Sequence, residues 1–170
     1  MAASARLVLA APEDVPALVD LHGRVARDLT RRFGEGHWSS EPTERGILFH
    51  LRMSRIFVVR NRGKIIATLR LTTRRPWAID PSFFTPCKRP LYLLDMAVEP
   101  GKQGTGLGAR CVALVPAIAR AWPADAIRLD AYDGPAGAGP FYVKCGYREV
   151  GRVSYRGTAL VYYEQGPRSS

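Results

Sequence analysis

A run of glycines beside a predicted helix is the feature of this sequence that most clearly indicates chemistry. Gly104, Gly106 and Gly108 follow an apolar stretch and lead into a helical pattern that begins near Leu107. Glycine lets the backbone approach a ligand closely. The free N–H groups at a helix start attract anions, aided by the helix dipole. The segment Gln103–Ala109 therefore predicts a cradle for a pyrophosphate-bearing ligand.

Two nucleotide-binding patterns match this segment only in part. Gly104, Gly106 and Ala109 fit a GxGxxA dinucleotide fingerprint, and Asp130 ends the next strand, where a ribose-binding acid would stand. In that fold the first glycine follows its strand almost directly, whereas residues 99–103 intervene here, and too little chain follows Asp130 to complete a doubly wound sheet. A Walker loop is excluded because no Gly-Lys-Ser/Thr follows the glycines.

The same segment resembles the signature of the GNAT superfamily of acetyl-CoA-dependent N-acetyltransferases. The run Gln103-Gly104-Thr105-Gly106-Leu107-Gly108 fits the family pattern Q/R-x-x-G-x-G/A. The run Phe141-Tyr142-Val143-Lys144-Cys145-Gly146-Tyr147 resembles the family's second motif, F-Y-x-K-x-G-F. The opening 9–15 resembles the usual passage from a first strand to a first helix, so the resemblance extends over roughly residues 5 to 165 in the right order.

The resemblance implies a fold and a set of roles. The fold would be mixed α/β, with a mostly antiparallel central sheet, one parallel strand pair splayed around CoA, and helices on both faces. Tyr142 would be the general acid that protonates the leaving thiolate; the alternative is a core aromatic residue with a satisfied hydroxyl. A strand amide near Val98 would stabilise the oxyanion. The residues implied to bind acetyl-CoA are Met96, Ala97 and Val98 along the pantetheine arm, and Gln103, Gly104, Thr105, Gly106, Leu107, Gly108 and Ala109 around the pyrophosphate.

Transfer to an amine also needs a base, because a free lysine amine titrates near ~10.4 and is protonated at neutral pH. Asp95 lies in the apolar strand before the loop, on the same face as Ala97 by strand alternation. It is a candidate base or amine anchor, or else it is ion-paired with one of many arginines. Glu99 at the strand end, and Glu35 and His37 after the first helix, are further candidates.

Two positions depart from the family pattern. Many members have an asparagine that contacts CoA ahead of the second motif, where this chain has Pro135. The surrounding Gly- and Pro-rich stretch forms helix poorly, so the helix of the second motif is expected to be short. Pro116 lies inside the helix after the glycine loop, which it should bend or deprive of one hydrogen bond.

Hydrophobic periodicity predicts the order β-α-α-β-β-β-α-β-α-β-β, with one parallel neighbour pair. Strands are expected at residues 5–11, 56–59, 65–71, 91–98, 127–131, 148–153 and 159–163. Helices are expected from Pro12 onward and at 43–53, 107–121 and 136–144. The predicted core includes Val8, Leu18, Val58, Ile66, Leu94, Leu114, Leu129 and Val161.

Length and composition favour a single domain over residues 1–170, with a core at about 5–165. The net charge is +10, but the arginines are scattered, so nucleic acid is not the expected partner. Three unpaired cysteines, and histidines without ligand spacing, predict neither disulfides nor a metal. No run approaches the roughly 18 apolar residues of a membrane span, and the short apolar start is a poor signal peptide, so the expected compartment is the cytoplasm.

The sequence thus predicts an enzyme that moves an acetyl group from acetyl-CoA to a primary amine of an unidentified small molecule or protein. The alternatives are a non-catalytic module that senses acyl-CoA and a basic nucleic-acid-binding protein. A homodimer is left open.

Overall fold

The computed structural model describes residues 5–166. They form two compact units. One comprises the chain up to Leu71 together with Asp95–Val112, and the other comprises Thr72–Leu94 together with the chain from Ala113 onward. We call them the first and the second unit.

The elements follow the predicted order. The strands are β1 Val8–Leu9, β2 Arg55–Asn61, β3 Lys64–Thr72, β4 Pro90–Val98, β5 Ala126–Tyr132, β6 Arg148–Tyr155 and β7 Thr158–Gln165. The helices are α1 Val15–Phe33, α2 Glu44–Met53, α3 Leu107–Ala121 and α4 Gly139–Lys144. The seven strands form one sheet in the order β1-β2-β3-β4-β5-β7-β6. The β1–β2, β2–β3, β5–β7 and β6–β7 pairs are antiparallel, whereas β4 and β5 are parallel, with Pro90 opposite Ala126, so the predicted mixed fold is confirmed.

Asp14 fixes the start of α1 in the first unit. Its carboxylate accepts a hydrogen bond from the Ala11 amide at 2.8 Å and from Arg60 on β2 at 2.7 Å. Burial raises the pKa of Asp14, but the bonds from Arg60 and Ala11 outweigh it and leave the pKa below its usual value. The acid is thus ionised at the positive helix end, where a negative charge is favourable.

Each unit has its own apolar cluster. In the first, one face of α1 and α2 packs against β2 and β3 through Val15, Leu18, Leu21, Ile47, Ile56, Val58 and Ile65. In the second unit, the segment between β3 and β4 packs on β7. The buried residues of this second cluster are Ile79 and Phe84 from the segment, Tyr92 from β4 and Tyr162 from β7. This long proline-containing segment is therefore packed, although Trp77 stays 85% exposed.

The predicted core is mostly correct, with one error. Leu18, Val58, Leu129 and Val161 are buried, and Val8, Ile66 and Leu94 are half-buried. Leu114 is 37% exposed, because the buried stripe of α3 runs through Cys111, Val112, Val115 and Ala119 instead.

The bounds of β1 and α4 differ by three residues at one end from the predicted ones, and those of the other strands differ by less. The first strand is only Val8–Leu9, not 5–11. The last helix begins at Gly139 instead of 136, after a turn closed by the Gly137 amide on the Gly134 carbonyl at 3.0 Å. Gly137 packs so closely on the Tyr132 carbonyl that a Cβ there would lie 1.7 Å from its oxygen.

Candidate active site

The glycine loop between β4 and α3 has the backbone that an anion cradle requires. Gly104 and Gly106 have φ angles of +77° and +84°, a region that side chains with a Cβ rarely adopt. The Arg110 amide makes the first helical bond, to the Gly106 carbonyl at 3.0 Å. The amides of the residues just before Arg110 therefore lie in the first turn, where no earlier carbonyl of the helix can accept from them.

Side chains within the loop hold this shape. The Gln103 side-chain amide donates to the Val98 carbonyl at 3.1 Å, and the Thr105 hydroxyl donates to the Lys102 carbonyl at 2.5 Å. The Gln103 contact ties the loop to the end of β4, and the Thr105 contact lies within the loop. The Gln103 side chain therefore helps to hold the loop in shape. The Val98 carbonyl already accepts one hydrogen bond, the one from Gln103.

Arg110 is a candidate that the sequence patterns did not single out. Its guanidinium lies at the loop, with Nη1 3.4 Å from the Thr105 carbonyl and 3.1 Å from the position of a Cβ built at Gly106. Its Nε is buried and has no hydrogen-bond partner among residues 5–166. A buried donor without an acceptor is costly, so an anion in the loop would be stabilised there. The loop thus fits the diphosphate of CoA. The sequence indicated the role of Arg110 only by a basic residue one turn into the helix.

Asp95 adopts a left-handed backbone in the middle of β4, with φ +51°. The simple alternation predicted for this strand is therefore wrong at this position, and Asp95 is exposed while Ala97 is 4% exposed. Its carboxylate accepts a hydrogen bond from Arg70 Nε at 2.7 Å, which is the ion-paired alternative left open by the sequence. A strained non-glycine residue inside a strand is found mainly at functional sites.

Glu99 is poorly suited to be a base. Its carboxylate contacts Arg24 and lies 3.2 Å from Lys64 Nζ. Burial raises the pKa of Glu99, but the bonds from Lys64 and Arg24 prevail and leave it below the usual value. An acid held by two cations has little affinity for a proton.

The other sequence-predicted residues are distributed between the two units. Met96 and Val98 are half-buried and Ala97 is buried, all in the first unit. Glu35 and His37 are exposed after α1.

Tyr142 lies in the second unit, where its ring is 7% exposed. Its ring centroid lies 5.2, 5.8 and 6.4 Å from those of Phe141, Tyr147 and Tyr163. Burial, with smaller contributions from Cys145 and Asp130, raises the pKa of Tyr142 well above its usual value. The hydroxyl is therefore protonated near neutral pH, so it has a proton to give and is not available as a tyrosinate base.

Two histidines that the sequence analysis considered only as metal ligands lie close to Asp95 in the first unit. His22 on α1, His50 on α2, and Arg70 on β3 line a small cavity together with Asp95. They come from separate elements and meet only through packing, so no motif could have revealed them. Among residues 5–166, no group of three or more His, Cys, Asp or Glu side chains is arranged to hold a metal ion.

A model of the acetyltransferase (GNAT) family matches residues 24–147, which include the glycine loop and the second motif. The chain belongs to the GNAT acetyltransferase family. It is therefore an acyltransferase of a family that uses acetyl-CoA, as the resemblance of the two motifs predicted.

Solved GNAT structures share the fold at low sequence identity. An N-acetyltransferase from Staphylococcus aureus has a TM-score of 0.71 at 15% identity, over 96% of this chain and 99% of that one. A ribosomal-protein-alanine N-acetyltransferase from Brucella melitensis gives 0.71 and 15%, over 94% and 98%. A ribosomal L7/L12 alpha-N-protein acetyltransferase, solved with coenzyme A, gives 0.67 and 15%, over 96% and 94%.

The curated proteins include no significant match to this GNAT chain. Within residues 5–166, its helices are all too short or too polar to cross a membrane.

Proposed function

We propose that this GNAT enzyme transfers an acetyl group from acetyl-CoA to a primary amine. The observation that supports this most directly is the glycine loop. Two left-handed glycines leave the helix start open, and beside it Arg110 offers a buried donor that has no partner within residues 5–166. These features suit a diphosphate, and a diphosphate is the part of CoA that a short backbone loop can hold.

The roles of individual residues in this proposal come from the two motifs. Amides from Gln103 to Ala109 bind the pyrophosphate, and backbone groups of Met96, Ala97 and Val98 hold the pantetheine arm. Tyr142 donates a proton to the CoA thiolate as it leaves, a role taken from the second motif; its hydroxyl carries the proton near neutral pH, and the raised pKa means that the developing charge on sulfur must draw the proton off. We also propose that the two units together make one catalytic domain and that the protein works in the cytoplasm.

The acceptor is a small-molecule amine or a protein amino terminus. Two of the structural neighbours are named for acetylating ribosomal proteins, one of them at an alpha-amino group. At 15% identity these likenesses do not transfer the acceptor to this chain, so a protein amino terminus is one of the acceptor classes to test.

The proposal is tested by following release of CoA thiol from acetyl-CoA in the presence of a panel of amines. The panel contains polyamines, aminoglycosides, free amino acids and short peptides with Ala or Ser amino termini, and mass spectrometry confirms the acetylated product. We expect at least one class to give turnover well above the slow hydrolysis of acetyl-CoA alone. Acetyl-CoA binding without transfer to any class would instead identify a sensing module. Binding of nucleic acid that falls steeply with salt and ignores CoA would favour the nucleic-acid alternative.

Tyr142→Phe tests the assigned acid, with Tyr155→Phe on β6 as its control. The substitution removes the donated proton and keeps the ring, so turnover should fall by about 10²–10⁴-fold while the Kd for acetyl-CoA stays unchanged. The loss should shrink with a thioester whose thiol is more acidic, because a better leaving group needs less help. Near-wild-type turnover of Tyr142→Phe would show that the tyrosine is structural.

A further inference from the structure

Four polar side chains converge on one cavity inside the first unit. They are His22 from α1, His50 from α2, Arg70 from β3 and Asp95 from β4. The cavity is about 10 Å³, roughly the space that one water molecule needs. Its remaining walls are Leu18, Ile47, Ile56 and Thr68.

Arg70 organises the cluster. Its Nε donates to Asp95 Oδ2 at 2.7 Å, and its Nη1 lies 3.4 Å from the Ser54 hydroxyl. Ser54 in turn ends α2, with its amide donating to the His50 carbonyl at 2.9 Å. One guanidinium therefore fixes both the carboxylate on β4 and the last turn of α2.

Both histidines have a pKa below the ordinary value. Burial lowers the pKa of His50, Arg70 lowers it further, and Asp95 opposes both. Burial also lowers the pKa of His22, against the attraction of Asp95 and together with repulsion from His50 and Arg70. The charged or titratable groups facing His50 are thus Asp95, Arg70 and His22, and their sum leaves an imidazole free to accept a proton at neutral pH.

His50 is also the histidine of this pair that suits contact with an acceptor. Its side chain is 34% exposed and that of Asp95 is 44% exposed, with His50 Nδ1 3.9 Å from Asp95 Oδ2. This distance is too long for a hydrogen bond, so Asp95 acts on the ring through its negative charge, which favours the proton on Nδ1 and leaves Nε2 with its lone pair. Asp95 directly precedes Met96, the first residue proposed to hold the pantetheine arm.

We propose that His50 is the base that takes the proton from the acceptor amine, with Asp95 orienting its ring and Arg70 fixing Asp95. This inference rests on the proposed acetyl transfer. His50 Nε2 accepts a proton from the acceptor ammonium, and the amine nitrogen then bonds to the thioester carbonyl carbon. The C–S bond breaks and its electron pair leaves on the sulfur. The nitrogen gives up its second proton as the amide forms, and this proton balances the one that the sulfur gains through Tyr142. The products are the amide, CoA thiol and a protonated His50, which returns the proton to water.

His50→Gln tests the base, and Arg52→Gln is the control, because Arg52 is an exposed residue on the same helix. Turnover of acetyl-CoA with the best amine of the panel is measured as kcat/KM from pH 5.5 to 9. We expect His50→Gln to lose about 10²–10⁴-fold and to lose the acidic limb of the profile, with the Kd for acetyl-CoA unchanged. Arg52→Gln should match the wild-type enzyme.

Asp95→Asn tests the positioning role by a shift that a merely structural residue would not cause. Asp95 raises the pKa of His50, so its removal should move the acidic limb to lower pH, together with a smaller loss of kcat/KM. Histidine-labelled protein gives the same titration by NMR without any acceptor, and His50→Gln assigns the signal among the three histidines.

The two proposals fail in different ways. A wild-type protein that neither binds nor consumes acetyl-CoA would overturn the acetyl transfer and this inference with it. An active wild type would overturn the inference alone if His50→Gln keeps nearly all of kcat/KM with the same pH profile, or if NMR shows His50 protonated at pH 7.

Discussion

Asp95 in the first unit and Glu164 in the second are both strand carboxylates bound to arginine. Glu164 on β7 is 1% exposed, and it accepts bonds from the Thr85 amide and hydroxyl and from Arg148. The side chain of Asp95 is 44% exposed, has a left-handed backbone, and faces neutral histidines across a small cavity. The difference is that a carboxylate closed off by donors stabilises a fold, whereas one left open on a strained strand can act on a ligand.

The unit that contains Glu164 also has a buried arginine, Arg128, whereas the Arg148 side chain that binds Glu164 is 67% exposed. Arg128 pairs with Glu164 across β5 and β7, donates to the Thr85 carbonyl at 2.9 Å, and lies 5.0 Å from the ring centre of Phe84. This network ties the segment before β4 to the last strand. Its carboxylate is buried and occupied by donors from Thr85 and Arg148, so we infer a structural role for it.

The largest expected effect is the difference in the free energy of unfolding between Glu164→Gln and Asp95→Asn. Glu164 is buried and accepts bonds from Thr85 and Arg148, and leaving such donors without their acceptor costs about 1–3 kcal/mol, so Glu164→Gln should lower the free energy of unfolding by that amount. Asp95→Asn alters a partly exposed pair and should cost under about 1 kcal/mol. Urea denaturation measures both, and equal losses for the two variants would remove the distinction between the clusters.

The second prediction concerns how the stability of the folded protein changes with pH. His22 has a lowered pKa in the folded protein, so between that value and the ordinary ~6.5 the unfolded chain binds more protons than the folded one. Stability is then fully present above ~6.5 and is lost as the pH falls toward the folded pKa, by up to about 1.4 kcal/mol per pH unit.

His22→Gln should therefore flatten the stability curve between pH 7 and 5 relative to wild type. Glu164→Gln should keep the wild-type slope, because no histidine contributes to the network around Glu164. Thermal unfolding over this pH range separates the two, and a His22→Gln curve parallel to wild type would contradict the assignment of a buried neutral imidazole.

The smallest effect is expected at Glu99, the other carboxylate at the end of β4. Because Arg24 and Lys64 both bind it, we expect Glu99→Gln to stay within an order of magnitude of wild-type turnover, whereas a positioned base is worth about 10²–10⁴-fold. Steady-state kinetics with the same amine decides this. A loss of turnover as large as that of His50→Gln would indicate that Glu99, and not His50 on α2, is the base.

The sequence predicted what local patterns determine. Helix α3 has the predicted bounds 107–121, because its glycine loop and apolar period are both local signals. The pattern could not show which face of α3 is buried, and Leu114 was misplaced for that reason. Alternation likewise assumes a regular strand, and the left-handed Asp95 breaks it.

The site was predictable to a similar extent. The cradle at Gln103–Ala109 could be recognised because one continuous segment forms it, although its binding role stays a prediction. The cluster of His22, His50, Arg70 and Asp95 depends on four elements that meet through tertiary packing, and nothing in the spacing of the histidines indicates it.

The central claim is that acetyl-CoA binds at the loop between β4 and α3, and calorimetry with acetyl-CoA on Gly106→Asp tests it most directly. The new side chain strains a left-handed position, and its carboxylate would lie within reach of Arg110 and repel a diphosphate. Gly63→Asp is the matched control, because Gly63 has φ +77° in the β2–β3 turn with open space around it. We predict that binding is lost in folded Gly106→Asp and kept in Gly63→Asp, whereas unchanged affinity in folded Gly106→Asp would contradict the assignment.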